Sequence, residues 1–160
     1  MSGDLRDLLS PEVDLEVSTS TEAVWAVLGD GWLYPLWVVG ATHMRDVDAT
    51  WPAVGARLHH SVGLWPVQLS DSTVVLAVEE GRRLELEARA IPFGSARVVL
   101  TLTPLGPERC VVSILEYAAS GPGRLVPTAF QAPFIRARNT ESLERLADIA
   151  VHRAKEHHGG

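Results

Sequence analysis

The sequence predicts an α+β domain: a curved antiparallel sheet of seven strands wrapped around a long C-terminal helix, with two short helices after strand 1. Three observations lead there. Residues 41–118 are a succession of short alternating apolar runs, separated by Gly- and Pro-rich breaks. Residues 128–158 have helical period and follow the strands instead of alternating with them. One further alternating run, near the start of the chain, passes directly into a helix signal.

Taken in order, "EVDLEVSTS" sets Val13, Leu15 and Val17 against Asp14, Glu16 and Ser18, the period of a half-buried strand. In "TSTEAVWAVL", Thr19 and Glu22 have the spacing of a capping box, which starts the first short helix. The glycines of "GDGW" stop it, and "WLYPLWVV" predicts a second short helix from near Gly31. Strands are predicted at 41–48, 56–64, 67–79, 83–91, 95–103 and 109–118. Their breaks are "TWPAVG", "WP", "EEGR", "IPFG" and "PLGPE". "RRLELEARA" places Leu84, Leu86 and Ala88 on one face and Arg83, Glu85, Glu87 and Arg89 on the other. A sheet with one dry and one wet face is antiparallel as a rule, and its dry face needs a cover. Within 67–79 the apolar parity changes from Val67 and Leu69 to Val74, Leu76 and Val78, which predicts a β-bulge.

The cover follows the loop "GPGRLVP". Ile135, Asn139, Leu143, Leu146, Ile149 and Ala150 fall on one helical stripe. Pro133 suits either the first turn of that helix or a break between two helical pieces. A curved sheet around a helix leaves space between them, and a ligand would sit there. Residues 1–160 are read as one domain with its core at about 12–153 and flexible tails at 1–11 and 154–160.

An apolar share of 46% with 21% charged residues is that of a globular chain and excludes a disordered one. The net charge of −6, without a basic run, gives no electrostatic reason to expect nucleic acid. The single cysteine, Cys110, excludes an internal disulfide and a cysteine-based zinc site, and its apolar neighbours read it as a buried small hydrophobe. The first residues carry neither a signal-peptide nor an anchor pattern, and no apolar run approaches the roughly 18 residues of a membrane span. A cytoplasmic protein without stable membrane insertion is the expectation, as monomer or homodimer. Phosphate loops and nucleophile elbows are absent from the sequence, and no cofactor is called for.

"VSTSTEAVWAVLGD" leading to the tryptophan of "YPLWV", the long run of strands, and "RARNTESLERLADIA" after "GPGRLVP" together carry a resemblance. In their order and spacing, over residues 12 to about 153, the chain resembles the START-like helix-grip superfamily (SRPBCC proteins), in its bacterial polyketide cyclase/dehydrase branch. The resemblance implies a helix-grip fold with a deep pocket under the long helix. It leaves the activity open, since that superfamily includes lipid and quinone carriers, hormone receptors and aromatase/cyclases.

The candidate site residues are argued singly. His59 and His60 are neighbours in a strand and point to opposite faces, so they cannot ligate one metal together. His60 shares the drier face with Leu58, Val62 and Leu64, which sends His59 outward. His60 is either a satisfied interior histidine or a pocket acid/base or ligand-orienting group. The remaining histidines, His43, His152, His157 and His158, are scattered or terminal, and no metal site is expected. Glu116 shares a face with Cys110, Val112 and Ile114, although the alternate face is nearly as apolar. Turned inward, it is a candidate acid or hydrogen-bond anchor; near the strand end it would simply meet water. Asn139 on the apolar stripe needs partners, either in the loop around Gly121 or in the pocket, and the flanking Arg136 and Arg138 are read as surface groups.

Trp25, following Val24 on the first helix, is read as core or a helix–sheet contact. Trp32, Tyr34 and Trp37 cluster in the second short helix, and Trp51 and Trp65 each precede a proline. These rings are either packing at strand ends or the aromatic mouth of a pocket. The primary expectation is a protein that binds a hydrophobic or aromatic small molecule, lipid-, quinone- or polyketide-like, between sheet and helix. Its ligand-binding candidates are Trp32, Tyr34, Trp37, His60, Val62, Trp65, Glu116, Ile135, Asn139 and Leu143. The alternatives are a polyketide cyclase, aromatase or dehydratase using His60 or Glu116 as acid/base, and an interaction module. The module requires an exposed, contiguous Trp32–Trp37–Trp65 patch.

Overall fold

A computed structural model describes residues 12–62, 69–90 and 94–159. Strand β1 (Glu12–Val17) leads to helix α1 (Thr21–Leu28), and a 3-10 turn (Gly31–Leu33) runs into helix α2 (Tyr34–Trp37). Six strands follow: β2 (Ala41–Val47), β3 (Arg57–Val62), β4 (Leu69–Glu79), β5 (Arg83–Ala90), β6 (Gly94–Gly106) and β7 (Arg109–Ser120). A second 3-10 turn (Pro122–Leu125) precedes helix α3 (Thr128–His158). The strands form one antiparallel sheet in the order β1-β7-β6-β5-β4-β3-β2. Sequence-adjacent β1 and β2 therefore lie at opposite edges, and α1 and α2 bridge the width between them.

Period-2 alternation decides which face is dry. Cys110, Val112 and Ile114 of β7, Leu100 and Leu102 of β6, and Leu84 and Leu86 of β5 are buried, with Leu143, Leu146 and Ala150 of α3 against the same core. Helix α3 packs chiefly on α1, β1 and α2, and only lightly on β7. The middle strands consequently face the helix across a gap. This is the seven-stranded helix-grip arrangement that the alternation and the single long helix predict.

Four local expectations need correction. The cap of α1 is Ser20, whose side chain accepts from the Ala23 amide at 3.2 Å, not the Thr19–Glu22 box; Thr19 is turned into the interior. The bulge in β4 is real but lies between Val75 and Ala77, leaving Leu76 as the extra residue. Asp71, Thr73 and Val75 are thus the buried positions before it, and Val74 is not. Pro133 neither opens nor breaks a helix: α3 runs through it as one element, giving up only the bond that the Pro133 nitrogen cannot donate to the Ala129 carbonyl. Residues 154–158, expected as tail, continue α3, where Lys155, His157 and His158 suit the negative end of the helix dipole. The expected tail at 1–11 lies outside the described residues.

Gly31 shows how tightly the α1–α2 bridge is fitted. A Cβ there would stand 2.5 Å from Leu58 Cδ2 and 2.7 Å from Val47 Cγ1. Leu143, 1% exposed, anchors α3 in the same core. Leu143→Ala is expected to cost about 2–5 kcal/mol of unfolding free energy by loss of burial and cavity formation. Urea denaturation checks this, and a change below about 1 kcal/mol would contradict the assignment of Leu143 to the core.

Candidate functional site

The gap between the middle strands and α3 is a cavity of about 180 Å³. Its apolar wall includes Leu86 and Ala88 of β5, Val98 of β6, Ile114 of β7 and Trp37 of α2. Two groups of polar side chains interrupt that wall.

The first joins sheet to helix. Glu116, at the inward parity of β7, is 8% exposed, and Asn139 of α3 is 3% exposed. Asn139 Nδ2 donates to Glu116 Oε2 at 2.8 Å, and Arg138 donates to the same oxygen and forms an ion pair with it. The carboxylate thus turns inward and is answered from two consecutive helix positions. Beside it, Ser142 Oγ accepts from the Val39 amide at 3.1 Å, tying α3 to the chain leaving α2.

The second group lies on β3 and β4. His60, 3% exposed, and Asp71, 6% exposed, are directly paired across the two strands and share the inward face. His60 Nε2 lies 2.9 Å from Thr73 Oγ1, and its ring stacks on Tyr34 with centroids 5.4 Å apart. His60 Nδ1 is buried with no hydrogen-bond partner among the described residues. Asp71 Oδ1 accepts from the Ser72 amide at 2.7 Å.

Burial governs the protonation of this group. It lowers the pKa of His60 to about 4, with Arg45 and His59 acting in the same direction. It raises that of Asp71 to about 6, against the Ser72 amide and Arg89. Tyr34 is pushed up to about 12, again by burial first. At neutral pH His60 is therefore a neutral imidazole with one ring nitrogen uncommitted, and Asp71 titrates close to neutrality. Such a pair can orient a hydroxyl or carbonyl, or exchange a proton with one.

Of the residues singled out from sequence, Tyr34, Trp37, His60, Glu116 and Asn139 meet around the cavity. Trp32 does not, because it is 57% exposed in the 3-10 turn, and Leu143 lies in the packed core instead of on the cavity wall. Ile135 lines a neighbouring outer cleft. Trp65 and the Val62 side chain lie outside the described residues. Trp37 is 4% exposed, so the contiguous tryptophan patch required by an interaction module does not form. His59 is half-buried, with Nε2 3.4 Å from Asp48 Oδ1. Trp51 donates its indole N–H to the Leu28 carbonyl at 3.0 Å, a packing role. Among the described residues no three His, Cys, Asp or Glu side chains are grouped to hold a metal. No helix among them is long and apolar enough to cross a membrane.

Sequence reasoning missed most of the cavity lining, including the polar residues Asp71, Arg89, Arg138 and Ser142. Arg138, expected at the surface, uses its long stem to reach Glu116 from the flank of the apolar stripe. Asp71 was hidden by the bulge, although its pairing opposite His60 would have revealed it once that hairpin's register was known.

A sequence profile described as "Polyketide cyclase / dehydrase and lipid transport" matches residues 10–151. The chain belongs to this family. No curated protein matches the sequence. Among solved structures the family's fold recurs in a START superfamily protein from Mycobacterium smegmatis, 19% identical, with a TM-score of 0.60 over 91% of this chain and 96% of that one. The di-domain ARO/CYC StfQ from the steffimycin biosynthetic pathway is 12% identical, with a TM-score of 0.68 over 96% of this chain and 54% of that one. A norcoclaurine synthase from Thalictrum, solved as a point mutant with a transition-state analogue, is 16% identical, with a TM-score of 0.62 over 89% and 94%.

The two shifted groups oppose each other in the pH dependence of stability. Burial favours the neutral form of Asp71, so its contribution is complete below about pH 3.8 and is lost as pH rises through about 6. His60 is held uncharged, so its contribution is complete above about pH 6.5 and is lost as pH falls through about 4. Asp71→Asn is expected to make stability rise with pH between about 4 and 6.5, and His60→Gln to make it fall between about 3.8 and 6. The unaltered protein should be flatter than either. Denaturant titrations across that window check the signs, and parallel profiles for all three proteins would contradict them.

Proposed function

We propose that the protein binds a hydrophobic or aromatic small molecule in the cavity between sheet and helix. The observation that carries this reading is a buried histidine nitrogen without a partner among the described residues, on the wall of a largely apolar cavity that also receives an inward carboxylate held by helix side chains. Buried polar atoms are partnered as a rule, so an unanswered one on a cavity wall suits a ligand hydroxyl or carbonyl. A pocket of about 150 Å³ accommodates benzene. The roughly 180 Å³ here fits a substituted ring or a compact bicycle. An indole-sized ring system buries up to about 250 Å². That is about 6 kcal/mol of apolar transfer before the costs of association. Affinities in the tens of micromolar or weaker follow for the ring alone.

A second reading draws on the His60–Asp71 pair. A neutral imidazole paired across the strands with a carboxyl that titrates at about 6 supplies a proton acceptor and a proton donor on one wall. That suits a cyclase or dehydratase holding a polyketide-like chain near its attack geometry. Glu116, already bound by Arg138 and Asn139, serves better as an anchor than as the moving base.

Calorimetric titration with a panel of mono- and bicyclic phenols tests binding. Saturable one-to-one binding with a negative heat-capacity change is expected. Heats indistinguishable from dilution for the whole panel would remove the reading. His60→Leu should reduce the preference for 2-naphthol over naphthalene by roughly three- to ten-fold, the worth of one hydrogen bond. For the enzymatic reading, His60→Gln should abolish turnover of a poly-β-ketone surrogate while binding persists, and unchanged turnover would take His60 out of any mechanism.

A further inference from the structure

Beyond the inner cavity, the end of the sheet and the first turns of α3 enclose an outer cleft of about 390 Å³. Phe130, Phe134 and Ile135 of α3 face Ala96 of β6 and Tyr117 and Ala118 of β7 across it. Phe130 and Phe134 are one helical turn apart, and are 79% and 71% exposed. Two aromatic rings left in water on one cleft call for an apolar occupant.

The identity of that occupant follows from continuity. Ala96, Glu116 and Arg138 line the inner cavity and the outer cleft alike, so the two spaces share one wall. Arg138 is the movable part of that wall. Its side chain is 30% exposed, whereas that of Glu116 is 11% exposed and also held by Asn139. The guanidinium can swing on its long stem toward water while still facing the carboxylate, and Asn139 keeps its bond to Glu116, so the passage widens without breaking the pair. The inner space is too small for more than a ring and a few carbons, whereas both together hold an elongated molecule.

Building on the cavity-binding reading above, we infer that the outer cleft is the tail site for an amphiphile whose ring end occupies the inner cavity. The ligand class is a neutral, hydroxylated ring with an alkyl or alkyl-like chain. The lining sets two carboxylates, Glu116 and Asp71, against two guanidinium groups, Arg89 and Arg138, and so gives a charged head no net electrostatic attraction to offset its desolvation. The chain passes beside the Glu116–Arg138 pair and lies against Phe130 and Phe134.

The test is a calorimetric series on the full chain with phenol and its 4-ethyl, 4-butyl, 4-hexyl and 4-octyl derivatives. Affinity should keep rising past the butyl member, by up to about four-fold for each methylene buried. In the double variant Phe130→Ser/Phe134→Ser the ratio of octyl to butyl affinity should collapse toward one. Because both rings are exposed, the change leaves the packed core untouched, and a general loss of fold would lower both affinities without this change in ratio. A gain that stops at butyl overturns the tail site, as does a gain that persists unchanged in the variant; in either case ring binding itself still stands. Failure of every member to bind overturns the cavity-binding reading and this inference with it.

Discussion

The buried carboxylate of Glu116 is the constraint on which the rest of the arrangement depends. A charge at that depth must be answered, and removing one partner of such a pair typically costs about 3–5 kcal/mol. Here the answer comes from Arg138 and Asn139 on the long helix. Their two bonds set the rotation of α3 about its axis and its position along β7. With Asn139 committed to Glu116, Leu143, Leu146 and Ala150 are carried onto the core below, and Phe130 and Phe134 are left facing the open end. A hydrophobic stripe alone would permit the helix to slide or roll by a residue. The polar contact selects one placement.

That placement holds the helix away from the middle strands. Farther along, α3 rests on α1 and β1, where packing is complete; nearer its start, a cavity remains. The sheet finishes the site at the other side. The bulge at Leu76 lets β4 present Asp71 and Thr73 inward while later residues of the strand still meet the core through Val78. Opposite them, β3 presents His60. The result is an apolar chamber with polar groups from two separate sources, the helix–β7 contact and the β3–β4 hairpin. Such a chamber distinguishes ligands by the placement of a few polar atoms, while apolar burial supplies most of the affinity.

Much of this architecture is legible in the residues. Alternation of period 2 is explicit in "RRLELEARA", so the inward parity of Leu84 and Leu86 could be read, and the stripe through Asn139 and Leu143 likewise; in "CVVSILE" both faces are nearly equally apolar, and the fold decides the inward turn of Glu116. What escaped depends on information that a period does not contain. The position of an extra residue in β4 is set by its pairing with β5, so Asp71 stayed hidden behind the apolar residues that follow it. Whether a flanking arginine turns outward or inward depends on the carboxylate across the gap, which only the fold brings near Arg138. Trp32 and Trp37 are close in sequence yet opposite in fate, because the 3-10 turn and α2 put one ring in water and the other under the sheet. Leu143 obeyed the stripe but belongs to the packed end of the helix, away from the chamber.

The claim that this chamber is the ligand site is tested most directly by where a bound ring lies. Intermolecular NOEs can be recorded between 2-naphthol and the methyl groups of otherwise deuterated protein at saturating ligand. The account predicts contacts to Leu86, Val98 and Ile114, three methyl-bearing residues of the cavity wall contributed by three different strands. Contacts confined to exposed methyls such as those of Leu105, Leu125 and Val126 would contradict it.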